Sequence, residues 1–149
     1  MTTMAEITKF LEQKTLAVVG VSRSPNKFSN RLYKSLRAKG YRLFAVNPNT
    51  DQIDGEACFG SIQALPQKVS GAVILVPPKQ TEKVVRAAAA AGIKHIWIQQ
   101  GAESHAAIDF CKQNGMNVIH NQCILMFAQP SFPHNCHRYI RKALGTLPK

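Results

Sequence analysis

The chain has 149 residues, of which 45% are hydrophobic and 18% charged, and this composition is typical of one globular domain. No stretch approaches the roughly 20 apolar residues of a membrane helix, and the first residues lack the basic and apolar regions of a signal peptide. Nineteen Lys and Arg residues against eight Asp and Glu give a formal net charge of +11, which favours a polyphosphate cofactor, a nucleic acid or an acidic protein as partner.

The basic residues are unevenly distributed. Eight of them and no acidic residue lie between Glu12 and Asp51, and five more follow Asp109, again with no acid. The four cysteines are scattered along a chain that is large enough to fold without disulfides, so we expect free thiols and a cytoplasmic location.

The first elements are a helix, a buried strand and a second helix. Thr3 and Glu6 have capping-box spacing, which predicts a helix within residues 1–13. The apolar run 15–19 predicts a strand that is buried on both faces. Apolar residues recur at helical spacing over 28–39, and Gly40 suits the end of that helix.

The rest of the chain continues to alternate strands with helices. The predicted elements are a strand at 41–46, a possible short strand at 57–59, a helical turn at 61–65, a strand at 71–76, a helix at 79–91, a strand at 95–99, a helix at 103–114 and a strand at 117–120. Such alternation indicates an α/β, Rossmann-like, doubly wound domain with a mainly parallel sheet. We expect this single domain to span 1–129, followed by a basic tail at 130–149.

The loop after the first strand has the features of a phosphate site. Gly20 allows a sharp turn and a close approach of the main chain, while the helix that begins near Phe28 offers free N–H groups and a partial positive charge. In doubly wound sheets this loop lies at the edge where ligands bind. Its other candidate ligand-binding residues are Val21, Ser22, Arg23, Ser24, Lys27 and Ser29.

The loop departs from the dinucleotide fingerprint G-x-G-x-x-G. Ser22 replaces the second glycine, and the second strand is followed by Asn47 and Pro48 instead of an acidic residue for the ribose. This departure disfavours NAD. It favours a cofactor with an additional ribose phosphate, and both coenzyme A and NADP have one.

Five further segments, together with this loop, resemble a known family. The pattern Gly20-x-Ser22-x-x-Pro25-x-Lys27-x-Ser29 is similar to that of the small bacterial CoA-binding-domain proteins, which are similar to the N-terminal domain of the succinyl-CoA synthetase alpha subunit. The resemblance covers residues 14 to 127. The additional segments are Val46-Asn47-Pro48, Gly55-Glu56, Val76-Pro77-Pro78, Trp97 to Gly101 and His120 to Cys123.

The resemblance implies a coenzyme A site and a function in binding rather than catalysis. Gly20, Ser22 and Lys27 would hold phosphate. The remaining residues would line the cleft, border the adenine or ribose, or face the ligand from the fourth main strand. These are Asn47, Pro48, Val76, Pro77, Pro78, Gln99, Gln100, Gly101 and Cys123.

Other functions have weaker support in the sequence. The net charge and the basic tail leave a nucleic-acid-binding protein as an alternative. An NADP-binding protein is a second alternative, because NADP also carries an additional ribose phosphate. No catalytic triad or paired carboxylates are recognisable. A thiol at Cys123 could exchange with the thiol of CoA, although an inert cysteine is the simpler interpretation. Histidines and cysteines also form a loose group near the end of the chain, made of His120, Cys123, His134, Cys136 and His137. This group lacks the paired spacing that is typical of zinc sites.

Overall fold

The computed structural model describes residues 2–128, which form a seven-stranded sheet covered by helices on both faces. The helices are α1 Met4–Leu11, α2 Phe28–Ala38, α3 Pro78–Ala90 and α4 His105–Gln113. The strands are β1 Thr15–Val19, β2 Arg42–Val46, β3 Gln52–Ile53, β4 Glu56–Phe59, β5 Gly71–Ile74, β6 His95–Gln99 and β7 Asn117–Gln122. Short 3₁₀ turns span Ile62–Ala64 and Ile124–Met126.

The strand order is β3-β4-β2-β1-β5-β6-β7, and every neighbouring pair is parallel except β3 with β4. The chain leaves β1 for β2 on one side and later returns to β5 on the other. The order therefore reverses between β1 and β5, which is the point where doubly wound sheets bind ligands. This topology confirms the predicted Rossmann-like α/β fold.

Two hydrophobic cores lie on opposite faces of the sheet. Alternate residues of β1 point to opposite sides, so that Leu16 and Val18 join the core beneath α1 and α2. Ala17 and Val19 join the core beneath α3 and α4. The first core contains the buried Trp97, whose ring lies 5.4 Å from that of Phe10 and 6.1 Å from that of Phe127 between centroids.

Several element boundaries differ from those predicted. The short strand β3 was not predicted; it pairs antiparallel with β4 across a turn in which Asp54 has a φ of 53°. Strand β5 ends at Ile74 rather than residue 76, as the chain turns towards Pro77 and α3. Helix α4 begins at His105 because Ser104 caps it and accepts a hydrogen bond from the N–H of Ala107.

Strand β7 extends two residues beyond its predicted end at His120. Its register against β6 shifts, so that Gln122 pairs with Gln99 and Asn121 adopts a φ of 61°. This bulge keeps the strand hydrogen-bonded to the sheet up to Gln122.

The N-terminal segment packs along the outer edge of β7. The predicted capping box of α1 is present, since Thr3 and Glu6 exchange side-chain and main-chain hydrogen bonds of 2.8 and 3.2 Å. The Thr2 hydroxyl bonds to both the N–H and the carbonyl oxygen of His120, and the Asn117 amide donates to the carbonyl oxygen of Glu6. None of the helices within residues 2–128 is long and apolar enough to cross a membrane. The predicted tail at 130–149 lies outside the described residues.

Candidate functional site

The loops after β1 and β5 touch through their main chains at the point where the strand order reverses. Gly20 has a φ of 105°, and a Cβ placed on it would lie 3.0 Å from the carbonyl carbon of Leu75 and 3.1 Å from the nitrogen of Val76. Both the backbone conformation and the space therefore require glycine at this position. This contact forms a ridge, made of Gly20 and the segment 75–77, along the carboxyl edge of the sheet.

The loop after β1 is held in shape by its own side chains. The N–H of Ser22 donates to Ser29 Oγ at 3.0 Å, and that hydroxyl donates to Asn30 Oδ1 at 3.0 Å. The Asn30 amide in turn donates to the carbonyl oxygen of Ser22 at 2.8 Å, and Ser22 Oγ accepts from the N–H of Ser24. These serines thus already have partners within the loop, and they preorganise it in addition to any contact with a ligand. The buried Asn30, which was not predicted as a site residue, closes this network.

Asn47 connects the end of β2 to the same loop. Its amide donates to the carbonyl oxygen of Val21 at 2.8 Å, while its Oδ1 accepts from the N–H of Asn49 at 2.8 Å. The side chain of Asn47 therefore fixes the loops after β1 and β2 relative to each other.

The two helices that begin beside the ridge lack side-chain caps. Lys27 occupies the N-cap position of α2 and Pro77 that of α3, and neither side chain accepts a hydrogen bond from its helix. By contrast, Thr3 caps α1 and Ser104 caps α4. The N-termini of α2 and α3 are thus left with the partial positive charge that attracts anions, and α2 also offers main-chain N–H groups, whereas Pro78 at the start of α3 has none.

A first cleft, here called the α2 cleft, lies between the N-terminus of α2 and the turn after β6. Its volume is about 410 Å³. Among the described residues, Lys27 is its only charged lining residue, and Phe28, which also lines it, is the one large hydrophobic side chain that is exposed, at 43%. The lining residues are Gly20, Ser22, Lys27, Phe28, Ser29, Leu75, Val76, Pro77, Gln99, Gln100, Gly101 and Ala102.

A second cleft, here called the α3 cleft, lies on the other side of the ridge and has a volume of about 700 Å³. One wall is the face of α3, and the other is formed by the loops after β2 and β4. Lys83 is the only charged residue that lines it over the described range 2–128. The two clefts share Gly20, Leu75, Val76 and Pro77, so together they form a continuous groove over the carboxyl edge.

Most of the predicted site residues line this groove. Gly20, Val76 and Pro77 border both clefts, Asn47 and Pro48 border the α3 cleft, and Ser22, Lys27, Phe28, Ser29, Gln99, Gln100 and Gly101 border the α2 cleft. Gln99 is buried, and its Oε1 accepts a 3.1 Å hydrogen bond from the N–H of Ile124, so this oxygen supports the chain after β7.

Five predicted residues do not line either cleft. Val21 is buried in the core, Arg23 and Ser24 are exposed, Pro78 is the first residue of α3, and Cys123 is partly buried against the core beneath α1 and α2. The structure also adds residues that the sequence did not point to, namely 60–63, Gln80, Lys83, Val84 and Ala87. The four of these residues that belong to α3 have the spacing i, i+3, i+4 and i+7, which places them on one face of the helix. This spacing is the only feature of the sequence that could have grouped them.

The cysteines differ in their surroundings. Burial raises the pKa of Cys111 to about 11 and also raises the pKa of Cys58, which makes both poor nucleophiles. Over residues 2–128, no cluster of three metal-ligating side chains occurs. His134, Cys136 and His137 of the loose His/Cys group lie outside the described residues.

Comparison with known proteins gives a consistent result. The family model described as "CoA binding domain" matches residues 14–129. The chain is 28% identical over 121 residues to the uncharacterized protein YneT of Bacillus subtilis, and the match covers 80% of this chain and 90% of that protein. It is also 28% identical over 123 residues to an ADP-forming acetate–CoA ligase of Archaeoglobus fulgidus, of which it spans only 18%.

Solved structures agree with this relationship. A hypothetical protein from Pyrococcus horikoshii superposes with a TM-score of 0.78 and 29% identity, covering 83% of this chain and 87% of that one. A conserved hypothetical protein from Pyrococcus furiosus is 39% identical with a TM-score of 0.70, covering 74% and 96%.

Proposed function

Because the chain belongs to the CoA binding domain family, we propose that it is a non-catalytic protein that binds coenzyme A or acyl-CoA. In this proposal, the groove along the carboxyl edge of the sheet holds the ligand, and the loop from Gly20 to Lys27 holds its phosphates.

The observation that carries the proposal is the pair of uncapped helices beside the ridge. A side-chain cap stabilises a helix by about 0.5–2 kcal/mol, yet neither Lys27 nor Pro77 provides one. An anionic group at the ridge would bind between two helix N-termini. Gly20 allows such a group to approach the main chain without meeting a Cβ.

The side chains of the groove are suited to binding. Among the described residues, they are amides, hydroxyls, apolar groups and the ammonium groups of Lys27 and Lys83. None of these described lining residues is a histidine or a carboxylate, the side chains that most often serve as general acids and bases. The diphosphate of CoA would be attracted to Lys27, and the apolar faces of Phe28 and Val76 suit the less polar parts of the ligand.

Thermal unfolding with a panel of ligands tests the proposal. CoA, dephospho-CoA, NAD, NADP and a DNA oligonucleotide would be compared at one salt concentration. A ligand at 100 times its Kd stabilises a protein by about 2.7 kcal/mol, which corresponds to an increase in Tm of about 5–11 °C for a domain of this size. Stabilisation by NADP or DNA without any by CoA would refute the proposal.

Replacing Lys27 tests the site itself. The Lys27→Ala protein should bind CoA at least about tenfold more weakly, because a charge-assisted contact with phosphate contributes about 1.5–3 kcal/mol, and the exposure of Lys27 places the effect at the low end of that range. Isothermal titration calorimetry would measure the affinity. Lys34→Ala is the matched control, because Lys34 lies on the same helix but faces Asp54 at 3.7 Å and borders neither cleft. Equal CoA affinity in the two variants would remove Lys27 from the site.

A further inference from the structure

We infer that Lys83 is a specificity-determining residue that recognises the ribose 3′-phosphate of coenzyme A in the α3 cleft. The inference rests on the proposed function and extends it, because it explains how the protein would distinguish CoA from the same molecule without that phosphate. Neither the phosphate loop nor the sequence motifs include this residue.

Lys83 lies on the face of α3 that forms one wall of the α3 cleft. Gln80, Lys83, Val84 and Ala87 all border the cleft, and their spacing places them on one side of the helix. The segments 47–49 and 60–63 form the facing wall. A ligand in the cleft would therefore lie between polar loops and the side chain of Lys83.

The floor of the α3 cleft has the character of a site for a base and its ribose. It consists of Val19, Val46, Leu75, Val76 and Pro77, whose side chains are apolar, whereas the rim is polar. Sites for cofactors commonly combine an apolar lining with a few polar groups that fix orientation. The cleft is also the larger of the two, at about 700 Å³ against about 410 Å³.

Charge singles out Lys83 among the residues of this cleft. None of its lining residues in the described part of the chain is acidic. The neighbouring carboxylate of Glu82 is engaged by Arg86 at 2.8 Å, and Lys83 forms none of the ion pairs found over residues 2–128. An anion in the α3 cleft would thus meet a positive charge without competition from a lining carboxylate.

The distribution of charge in the groove matches the distribution of phosphate in CoA. The ligand carries a diphosphate and, separately on its ribose, a monophosphate. The groove carries Lys27 on one side of the ridge and Lys83 on the other, and within residues 2–128 each is the only charged residue that lines its cleft. With the diphosphate at the ridge and the adenosine in the α3 cleft, the ribose phosphate faces Lys83 and the pantetheine arm extends into the α2 cleft.

The test compares CoA with dephospho-CoA, which lacks the 3′-phosphate, by calorimetry on three proteins at low salt. The unmodified protein should bind CoA at least about tenfold more tightly than dephospho-CoA, as expected for one charge-assisted contact. Lys83→Gln should lose the preference for CoA, because its affinity for CoA should fall while its affinity for dephospho-CoA stays unchanged. Lys79→Gln should behave like the unmodified protein, since Lys79 is an exposed lysine of the same helix that borders neither cleft.

The outcomes separate the two proposals. If the unmodified protein binds neither ligand, the proposed function is wrong. If it binds both, the inference about Lys83 is overturned by any of three results: equal affinity for the two ligands, a preference that persists in Lys83→Gln, or an equal loss of affinity for both ligands in that variant. Lys83→Arg should restore most of the preference, because it restores the charge.

Discussion

Gly20 offers a direct test of the close contact between the loops after β1 and β5. In Gly20→Ala, the new Cβ would have to be accommodated at a φ of 105° and about 3.0 Å from the main chain of Leu75. The neighbour is backbone rather than the end of a flexible side chain, so it cannot move without disturbing β5. The variant therefore combines backbone strain with overpacking.

The expected loss of stability follows from these two effects. Strain at a positive φ costs a non-glycine residue about 1–3 kcal/mol, and overpacking typically costs about 1–3 kcal/mol. Together they predict a decrease of about 2–6 kcal/mol in the free energy of unfolding. At about 2–4 °C per kcal/mol for a domain of this size, the Tm should fall by roughly 4–24 °C.

Gly40→Ala is the matched control, because it separates strain from contact. Gly40 has a similar φ of 95°, but no atom lies within 4 Å of the position of its Cβ. It should therefore lose only the strain contribution. Urea unfolding of both variants would measure the difference, which we expect to be about 1–3 kcal/mol. A difference below about 0.5 kcal/mol, within the usual scatter of surface substitutions, would show that the loops after β1 and β5 are not in tight contact.

Two further predictions concern ionisable groups. Burial, with a smaller contribution from Lys112, lowers the pKa of His120 below its ordinary value of about 6.5. Near that pH the folded state therefore binds fewer protons than the unfolded state. The contribution of His120 to stability is fully present above pH 6.5 and is lost as the pH falls through the lowered pKa. Urea unfolding at pH 7.5 and 5.0 should show a smaller loss for His120→Gln than for the unmodified protein, and an equal loss would contradict this cause. Iodoacetamide at pH 7.5 should alkylate the partly buried Cys123 at least about tenfold faster than Cys111, whose pKa is raised by burial to about 11. Peptide mass spectrometry would measure the two alkylation rates. Faster alkylation of Cys111 would contradict the effect of burial on its thiol.

The alternation of elements could be predicted because each is encoded locally. The run 15–19 is apolar throughout, as expected for a strand buried on both faces, and Thr3 with Glu6 marks the start of α1. Strand β3 escaped prediction because it has only two residues and is defined by its pairing with β4. An Asp-Gly pair at 54–55 is the sequence signal of a hairpin that could have revealed it.

The candidate site was only partly visible in the sequence. The phosphate loop is one continuous segment, so its glycine, serines and lysine could be recognised together. The α3 cleft combines segments far apart in the chain, and Lys83 borders it only because α3 packs beside the loops after β2 and β4. Likewise, Asn30 looks like an ordinary surface residue of a helix until its hydrogen bond to the carbonyl oxygen of Ser22 is seen.

The packing of the N-terminal segment against β7 bears on how the sheet could associate with other chains. An edge strand normally exposes main-chain groups that another strand can extend. Here the main-chain groups of His120 are occupied by the Thr2 hydroxyl, and Asn117 is tied to α1. At the opposite edge, β3 has only two residues and ends at a tight turn. Within residues 2–128, both edges are therefore poor templates for strand addition, which disfavours edge-to-edge pairing between copies of this domain.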